Sequence, residues 1–266
     1  MNDKMVVIIT GASKGIGHVA ARLFCKKGYI VYSISRGKCD LDGVKSINCD
    51  ITNGVLLKKA IDSIFESERR IDILINNAGG GISGSVEKTD PADAKRLFEL
   101  NFFACFEAVK YTVPHMRSRK YGRIINIGSV AGAMHVPFQA FYSASKAALE
   151  ALSNCLRGEL APFGIKLAAI LPGDTVTNFT DSREKGFDKN DPDYGERISR
   201  SITMMEKDER NGMSPEKVAR VIYKAACSKN PAPAYTVGFS YNFFIFLNKV
   251  LPKRFVQFIL NSMYSK

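Results

Sequence analysis

Short apolar runs punctuate the chain at 5–10, 29–34, 45–49, 72–75, 123–127 and 166–171, most of them rich in Val and Ile. Such continuous runs suit strands buried on both faces of a parallel sheet, where no polar residue needs to alternate. Between them, segments 17–27, 56–68, 92–117 and 140–162 carry apolar residues at helical spacing. This alternation predicts a doubly wound α/β sheet with right-handed crossovers. A seventh short strand is predicted at Ala234–Val237. Two segments break the pattern. Residues 175–212 are polar and charge-rich and are read as an excursion with short helices, while 239–266 are apolar and basic. No internal repeat or linker is visible. The expectation is one domain over 1–238, including 175–212 as a lid, with 239–266 as a helical C-terminal extension of the same domain.

Composition narrows the class. Of 266 residues, 45% are hydrophobic and 24% charged, the balance of an ordinary globular protein and not of a disordered one. Six cysteines form no CxxC pair and no metal-like spacing with the three histidines. No leader-like segment opens the sequence, so reduced thiols and a cytoplasmic setting are expected, with no metal. No apolar stretch reaches the roughly 18 residues that a membrane span requires. The net charge of +12 is local in origin. Eight of the 38 basic residues, and none of the 26 acidic ones, lie between Lys217 and Lys266.

The first predicted strand ends in Thr10-Gly11-Ala12-Ser13-Lys14-Gly15-Ile16-Gly17 and runs straight into a helix. Glycines there permit a tight turn, close approach of backbone to a pyrophosphate and close helix–strand packing. The helix N-terminus adds unpaired N–H groups and a partial positive charge. A Rossmann-like dinucleotide site is therefore predicted, drawing on Gly11, Ser13, Lys14, Gly15, Ile16 and Gly17.

With four further segments this turn resembles the short-chain dehydrogenase/reductase family, over about residues 5–237. Asn76-Asn77-Ala78-Gly79 follows the fourth strand; Asn101 lies 24 residues after Asn77; Ser129 follows the fifth strand; Tyr142 comes 13 residues after Ser129, with Lys146 one helical turn on; and Pro172-Gly173 follows the sixth strand, with Thr175 and Thr177 beyond. Each falls at the C-terminal end of a strand or on the next helix, where open α/β sheets place their ligands. The resemblance implies a nicotinamide-dependent oxidoreductase in which Asn77, Ala78, Gly79, Pro172, Gly173, Thr175 and Thr177 contact the cofactor. It also implies that Lys146 holds the nicotinamide ribose, that Asn101 anchors a water in a proton relay, and that Asp50 and Ile51 flank the adenine. Among relatives the chain looks most like the hydroxysteroid dehydrogenase-like group, which implies a homodimer or homotetramer formed through the helices carrying Asn101 and Tyr142.

The chemistry is intelligible from the residues themselves. Tyr142 and Lys146 are spaced to share one helical face. A free tyrosine ionises near pH 10, too high for efficient acid–base work at neutrality, and a neighbouring ammonium is expected to lower that value. Tyr142 then exchanges a proton with a carbonyl or alcohol oxygen that Ser129 orients. Cofactor preference follows from Tyr32-Ser33-Ile34-Ser35-Arg36-Gly37-Lys38, where no acid stands ready for a ribose 2′-hydroxyl. Ser35 and Arg36, with Lys14, instead suit a 2′-phosphate, so NADP(H) is expected; either charge alone would also be ordinary solvated surface.

The substrate is expected to be a hydrophobic small molecule, steroid- or lipid-like. Residues 130–138 form a mostly apolar wall, and the excursion adds Phe179, Phe187, Ile198, Ile202, Met204 and Met205. In the tail, Phe255, Val256, Ile259, Leu260 and Met263 form one helical stripe behind Pro252, Lys253 and Arg254. That stripe suits a lid, a subunit interface or peripheral contact with a membrane. The alternatives to a steroid or lipid oxidoreductase are a 3-oxoacyl-thioester or acyl-lipid ketone reductase and, from another class, a catalytically silent NADP(H)-binding sensor or scaffold. No nucleic-acid motif accompanies the basic tail.

Overall fold

The computed structural model describes residues 4–264; residues 1–3 and 265–266, which include Lys266 and the outer ends of the two predicted spans, lie outside the described residues. The strands are β1 (Val6–Thr10), β2 (Ile30–Ser35), β3 (Val44–Asn48), β4 (Ile73–Asn76), β5 (Ile82–Ser83), β6 (Gly122–Ile127), β7 (Ile165–Pro172), β8 (Glu184–Lys185) and β9 (Ala234–Val237). Seven of them form one parallel sheet in the order β3-β2-β1-β4-β6-β7-β9, while β5 and β8 pair separately. Strand order reverses between β1 and β4, which opens a crevice at the C-terminal edge of the sheet.

Every residue of β1, β4 and β6 is buried, because helices cover both faces. The helices are α1 (Gly15–Lys26), α2 (Gly54–Glu68), α3 (Pro91–Phe98), α4 (Ala104–Ser118), α5 (Ala140–Leu160), α6 (Phe179–Ser182), α7 (Gly195–Arg210), α8 (Pro215–Cys227), α9 (Phe239–Val250) and α10 (Lys253–Tyr264). Successive strand residues point to opposite faces. Val6 and Ile8 pack with Leu57 and Ile61 of α2 and Ala108 of α4, whereas Val7 and Ile9 pack with Phe24 of α1 and Ile222 of α8.

Two readings are corrected. The helix predicted over 92–117 is interrupted by a π-helical turn at Glu99–Phe103. The widened turn seats Asn101 against the backbone of Gly80, with Oδ1 accepting its N–H at 2.8 Å and Nδ2 donating to its carbonyl at 3.0 Å. In the excursion, Ile198 and Ile202 do not line the cleft but form a small core of their own with Met205, Phe187 and Tyr264, and Met204 is exposed. The tail forms α9 and α10, separated at Leu251-Pro252. Among the described residues, no helix is long and apolar enough to cross a membrane.

Candidate active site

The glycine turn and the loop after β4 are built as one unit. The Thr10 hydroxyl accepts the N–H groups of Asn77 and Ala78 at 3.0 and 3.1 Å, and Asn77 Nδ2 donates to the carbonyls of Thr10 and Gly11. Gly11 has φ +69°, and a Cβ there would lie 2.9 Å from the Ala78 Cα. Only glycine fits so close a backbone approach. At Lys14 the N-cap of α1 receives no side-chain hydrogen bond, and the first turn holds no acid. Its N–H groups and the positive end of the helix dipole are thus open to phosphate, and this open N-terminus fits the dinucleotide that the motif implies.

A cavity of about 850 Å³ starts at this turn. All the predicted cofactor residues line it except Gly17: Gly11, Ser13, Lys14, Gly15 and Ile16 from the turn, Ser35 and Arg36 after β2, Asp50 and Ile51 after β3, Asn77, Ala78 and Gly79 after β4, Tyr142 and Lys146 on α5, and Pro172, Gly173, Thr175 and Thr177 after β7. Gly17 stands behind the turn, where a Cβ would fall 2.4 Å from Asn77 Nδ2. At the far rim the Ser35 hydroxyl donates to the Gly37 carbonyl at 2.7 Å, and Arg36 is exposed. Burial works against ionisation of Asp50, but hydrogen bonds from Thr52 and the nearby Arg36 bring its carboxyl below the usual range.

Ser129, Tyr142 and Lys146 meet in the middle of the cavity. Ser129 caps a short 3-10 turn through the Ala131 N–H at 3.1 Å. Lys146 Nζ donates to the Ile127 carbonyl at 3.0 Å and lies 5.9 Å from the Tyr142 ring centre. Burial brings Lys146 down to about 8. Tyr142 departs from expectation: burial pushes its phenol above the ordinary value, partly opposed by a hydrogen bond with Ser129. Around it, Glu209 and Asp174 push the value further up and Arg183 pulls it down. Burial is the largest of these effects, and the phenol lies above its ordinary value, where the spacing suggests a lowering. Asn101 is buried outside the cavity wall; its Nδ2 also donates to Ser145 Oγ at 3.0 Å.

Several residues at the site carried no legible signal in the sequence. Asp174 follows Pro172-Gly173, and Asp208 and Glu209 end α7; all three line the cavity. Tyr241 and Tyr264 come from the tail; beside them Val256, Ile259, Leu260 and Met263 of the expected stripe line the cavity, with Phe244, Leu247 and Leu251. Of the excursion residues proposed to face a ligand, Phe179 and Met205 do so; the Phe179 ring lies 5.6 Å from that of Tyr142. Phe255, placed in the tail stripe, points outward at 52% exposure.

A seven-stranded Rossmann-like sheet whose crevice gathers Ser129, Tyr142 and Lys146 beside a phosphate-ready turn defines a nicotinamide-dependent oxidoreductase acting on CH–OH or C=O groups. Residues 5–187 match the profile of the family described as short chain dehydrogenase, and the chain belongs to that family. It is 37% identical over 263 residues to a 3-ketodihydrosphingosine reductase of Bacteroides thetaiotaomicron, covering 98% of each chain. It is 31% identical to a probable short-chain type dehydrogenase/reductase, VdlC, of Helicobacter pylori, covering 93% of each. Among solved structures, a short-chain dehydrogenase from Streptomyces avermitilis superposes with a TM-score of 0.84 at 27% identity, over 98% of this chain and 96% of the other.

Proposed function

We propose that the protein is an NADP(H)-dependent oxidoreductase that interconverts long-chain lipid ketones and their secondary alcohols. One observation carries this reading. The cavity lined by the phosphate-ready turn and Tyr142 is also a cleft walled by Phe244, Leu247, Leu251, Val256 and Leu260 of the tail. An elongated apolar chain fits such a cleft, and burying it supplies about 0.8 kcal/mol per methylene. The similarity to a 3-ketodihydrosphingosine reductase favours an acyl-lipid ketone over a steroid.

When bound, a nicotinamide dinucleotide would supply or accept the hydride. Tyr142 gives its phenolic proton to the ketone oxygen, or takes one from the alcohol in reverse, and Ser129 donates a hydrogen bond to the same oxygen. Lys146 holds the nicotinamide ribose, and its positive charge favours the phenolate. Asn101 acts from behind, fixing the Gly79–Gly80 backbone and Ser145 around Lys146. Arg36 and Lys14 grip the 2′-phosphate, and the lack of an acid after β2 supports the same preference. Asp50 and Ile51 flank the adenine.

The site is read as lying within one domain, closed by the excursion and by α9 and α10, whose outer surface meets a membrane from the cytoplasmic side. Phe103 and Phe106, exposed next to and on α4, support pairing of copies along that helix into a dimer or tetramer. The testing experiment follows reduced-nicotinamide absorbance with NADPH and NADH in parallel against long-chain lipid ketones, ketosteroids and 3-oxoacyl thioesters. Selective NADPH oxidation by the lipid ketones is expected, and Tyr142→Phe is expected to cut turnover by about 10²- to 10⁴-fold while NADPH still binds. Preference for NADH would overturn the charge argument. Activity confined to steroids or thioesters would overturn the substrate class. Unchanged turnover in Tyr142→Phe would remove the proposed proton donor, and NADPH binding without any turnover would favour a silent sensor.

A further inference from the structure

The wall of the cavity near Tyr142 carries more negative charge than an apolar lipid chain requires. Asp174, Asp208 and Glu209 all line it. The cation set against them is Arg183, whose side chain is 1% exposed and ion-paired with Glu209. Tyr241 donates to Asp174, and Tyr264 donates to Asp208 at 3.2 Å. The two tail helices therefore close over the carboxylates, but a neutral hydroxyl solvates a charge without cancelling it.

These acids are not freely hydrated surface groups. Burial pushes the carboxyls of Asp174 and Glu209 above the usual range. The Arg183–Glu209 pair is also incomplete on both sides: Arg183 Nη1 and Glu209 Oε2 are buried and have no hydrogen-bond partner. Buried ions left partly unsatisfied are costly, and a fold retains them where something else completes the set. The cluster even works against the chemistry as it stands, because the fields of Glu209 and Asp174 disfavour the Tyr142 phenolate. A positive charge placed among the carboxylates would reverse that effect.

We infer that Asp174, Asp208 and Glu209 receive a protonated amine carried close to the reacting carbonyl, so that the preferred substrate is a long-chain amino ketone. The inference rests on the lipid-ketone reading and specifies its head group. The apolar cleft holds the chain, Tyr142 and Ser129 hold the ketone oxygen, and the carboxylates hold the ammonium. A neutral ketone or an acyl thioester would leave Arg183 as the one positive charge set against three acids.

The test separates recognition from turnover. Sphinganine, its N-acetyl derivative and the diol of equal chain length lacking the amine are titrated against the NADPH-loaded protein. Sphinganine is expected to bind about ten- to a hundredfold more tightly than either neutral compound, the range of a charge-assisted hydrogen bond. Asp208→Asn, which keeps the side-chain shape, should reduce that preference to within about threefold of parity. Equal binding of the three compounds by the wild-type protein overturns the inference, whether or not the variant folds. An undiminished preference in Asp208→Asn together with Glu209→Gln also overturns it. If sphinganine is preferred but no lipid ketone consumes NADPH, the amine site stands and the reductase reading falls.

Discussion

Burial holds Lys146 near pKa 8, against an ordinary value of 10.5, so at neutral pH the folded protein carries an ammonium ion that its surroundings disfavour. The unfolded chain binds that proton more readily throughout the interval between the two values. The destabilising contribution is therefore fully present below about pH 8 and fades as pH rises to 10.5. Lys146→Met keeps most of the volume and removes the charge. In urea denaturation at pH 7 without nucleotide, the variant is expected to be more stable by about 2 kcal/mol, an advantage that disappears towards pH 10.5, and it should have lost turnover. A variant less stable than wild type at pH 7 would show that the bond from Nζ to the Ile127 carbonyl outweighs desolvation. The cost at this position is the counterpart of its proposed role, since a ribose hydroxyl and a phenolate need the charge that the empty fold would discard.

At the scale of elements, the turn between β1 and α1 leaves no room for a side chain at Gly17. A Cβ on Gly17 would lie 2.4 Å from Asn77 Nδ2 and 2.7 Å from the Gly11 carbonyl, so α1 cannot keep its place against the loop after β4. Gly17→Ala is expected to lower stability by about 1–3 kcal/mol and to weaken NADPH binding, because displacing α1 moves the N–H groups offered to phosphate. Calorimetric titration with NADPH beside a melting curve checks both, and unaltered affinity would mean that the turn is set independently of the helix. The central strands were legible in the sequence because burial on both faces leaves an unbroken apolar run. The catalytic set was legible because Ser129 follows a strand and Asn101, Tyr142 and Lys146 keep fixed spacings on the helices beyond. The π-helical turn at Glu99–Phe103 was not, since one widened turn scarcely disturbs the helical spacing of the long apolar pattern over 92–117. Nor were the acids, because Asp208 and Glu209 read along the chain as the solvated end of a charged helix. Tertiary contacts cover them: Tyr264 of α10 meets Asp208, and Arg183 meets Glu209.

For the whole molecule, the two tail helices present two different faces. Leu247, Leu251, Val256 and Leu260 look into the cavity, and Asn248 Nδ2 fastens α9 to the loop after Ser129 through the Ala133 carbonyl at 2.9 Å. The outer face shows Phe239, Phe243, Phe246, Val250, Phe255 and Phe258, with Phe239 at 89% exposure, beside exposed Lys249, Lys253 and Arg254. The lid and membrane readings of the tail are thus compatible. An apolar, aromatic surface edged by positive charge and lacking acids suits the interface of an anionic bilayer, and a lipid leaving that bilayer would meet the cavity from the same side. In vesicle flotation the protein is expected to bind phosphatidylglycerol-containing membranes in preference to neutral ones, and to release as salt screens the basic residues. Phe243→Ser with Phe246→Ser, neither residue lining the cavity, should weaken binding at least about tenfold, since each buried phenyl ring contributes about 1.5–3 kcal/mol. Concentration-dependent self-association through this face, without vesicle binding, would assign it to a second copy of the chain. Binding indifferent to lipid charge would leave Lys249, Lys253 and Arg254 without a part in it, and the positive excess of the C-terminal fifth would then need another partner.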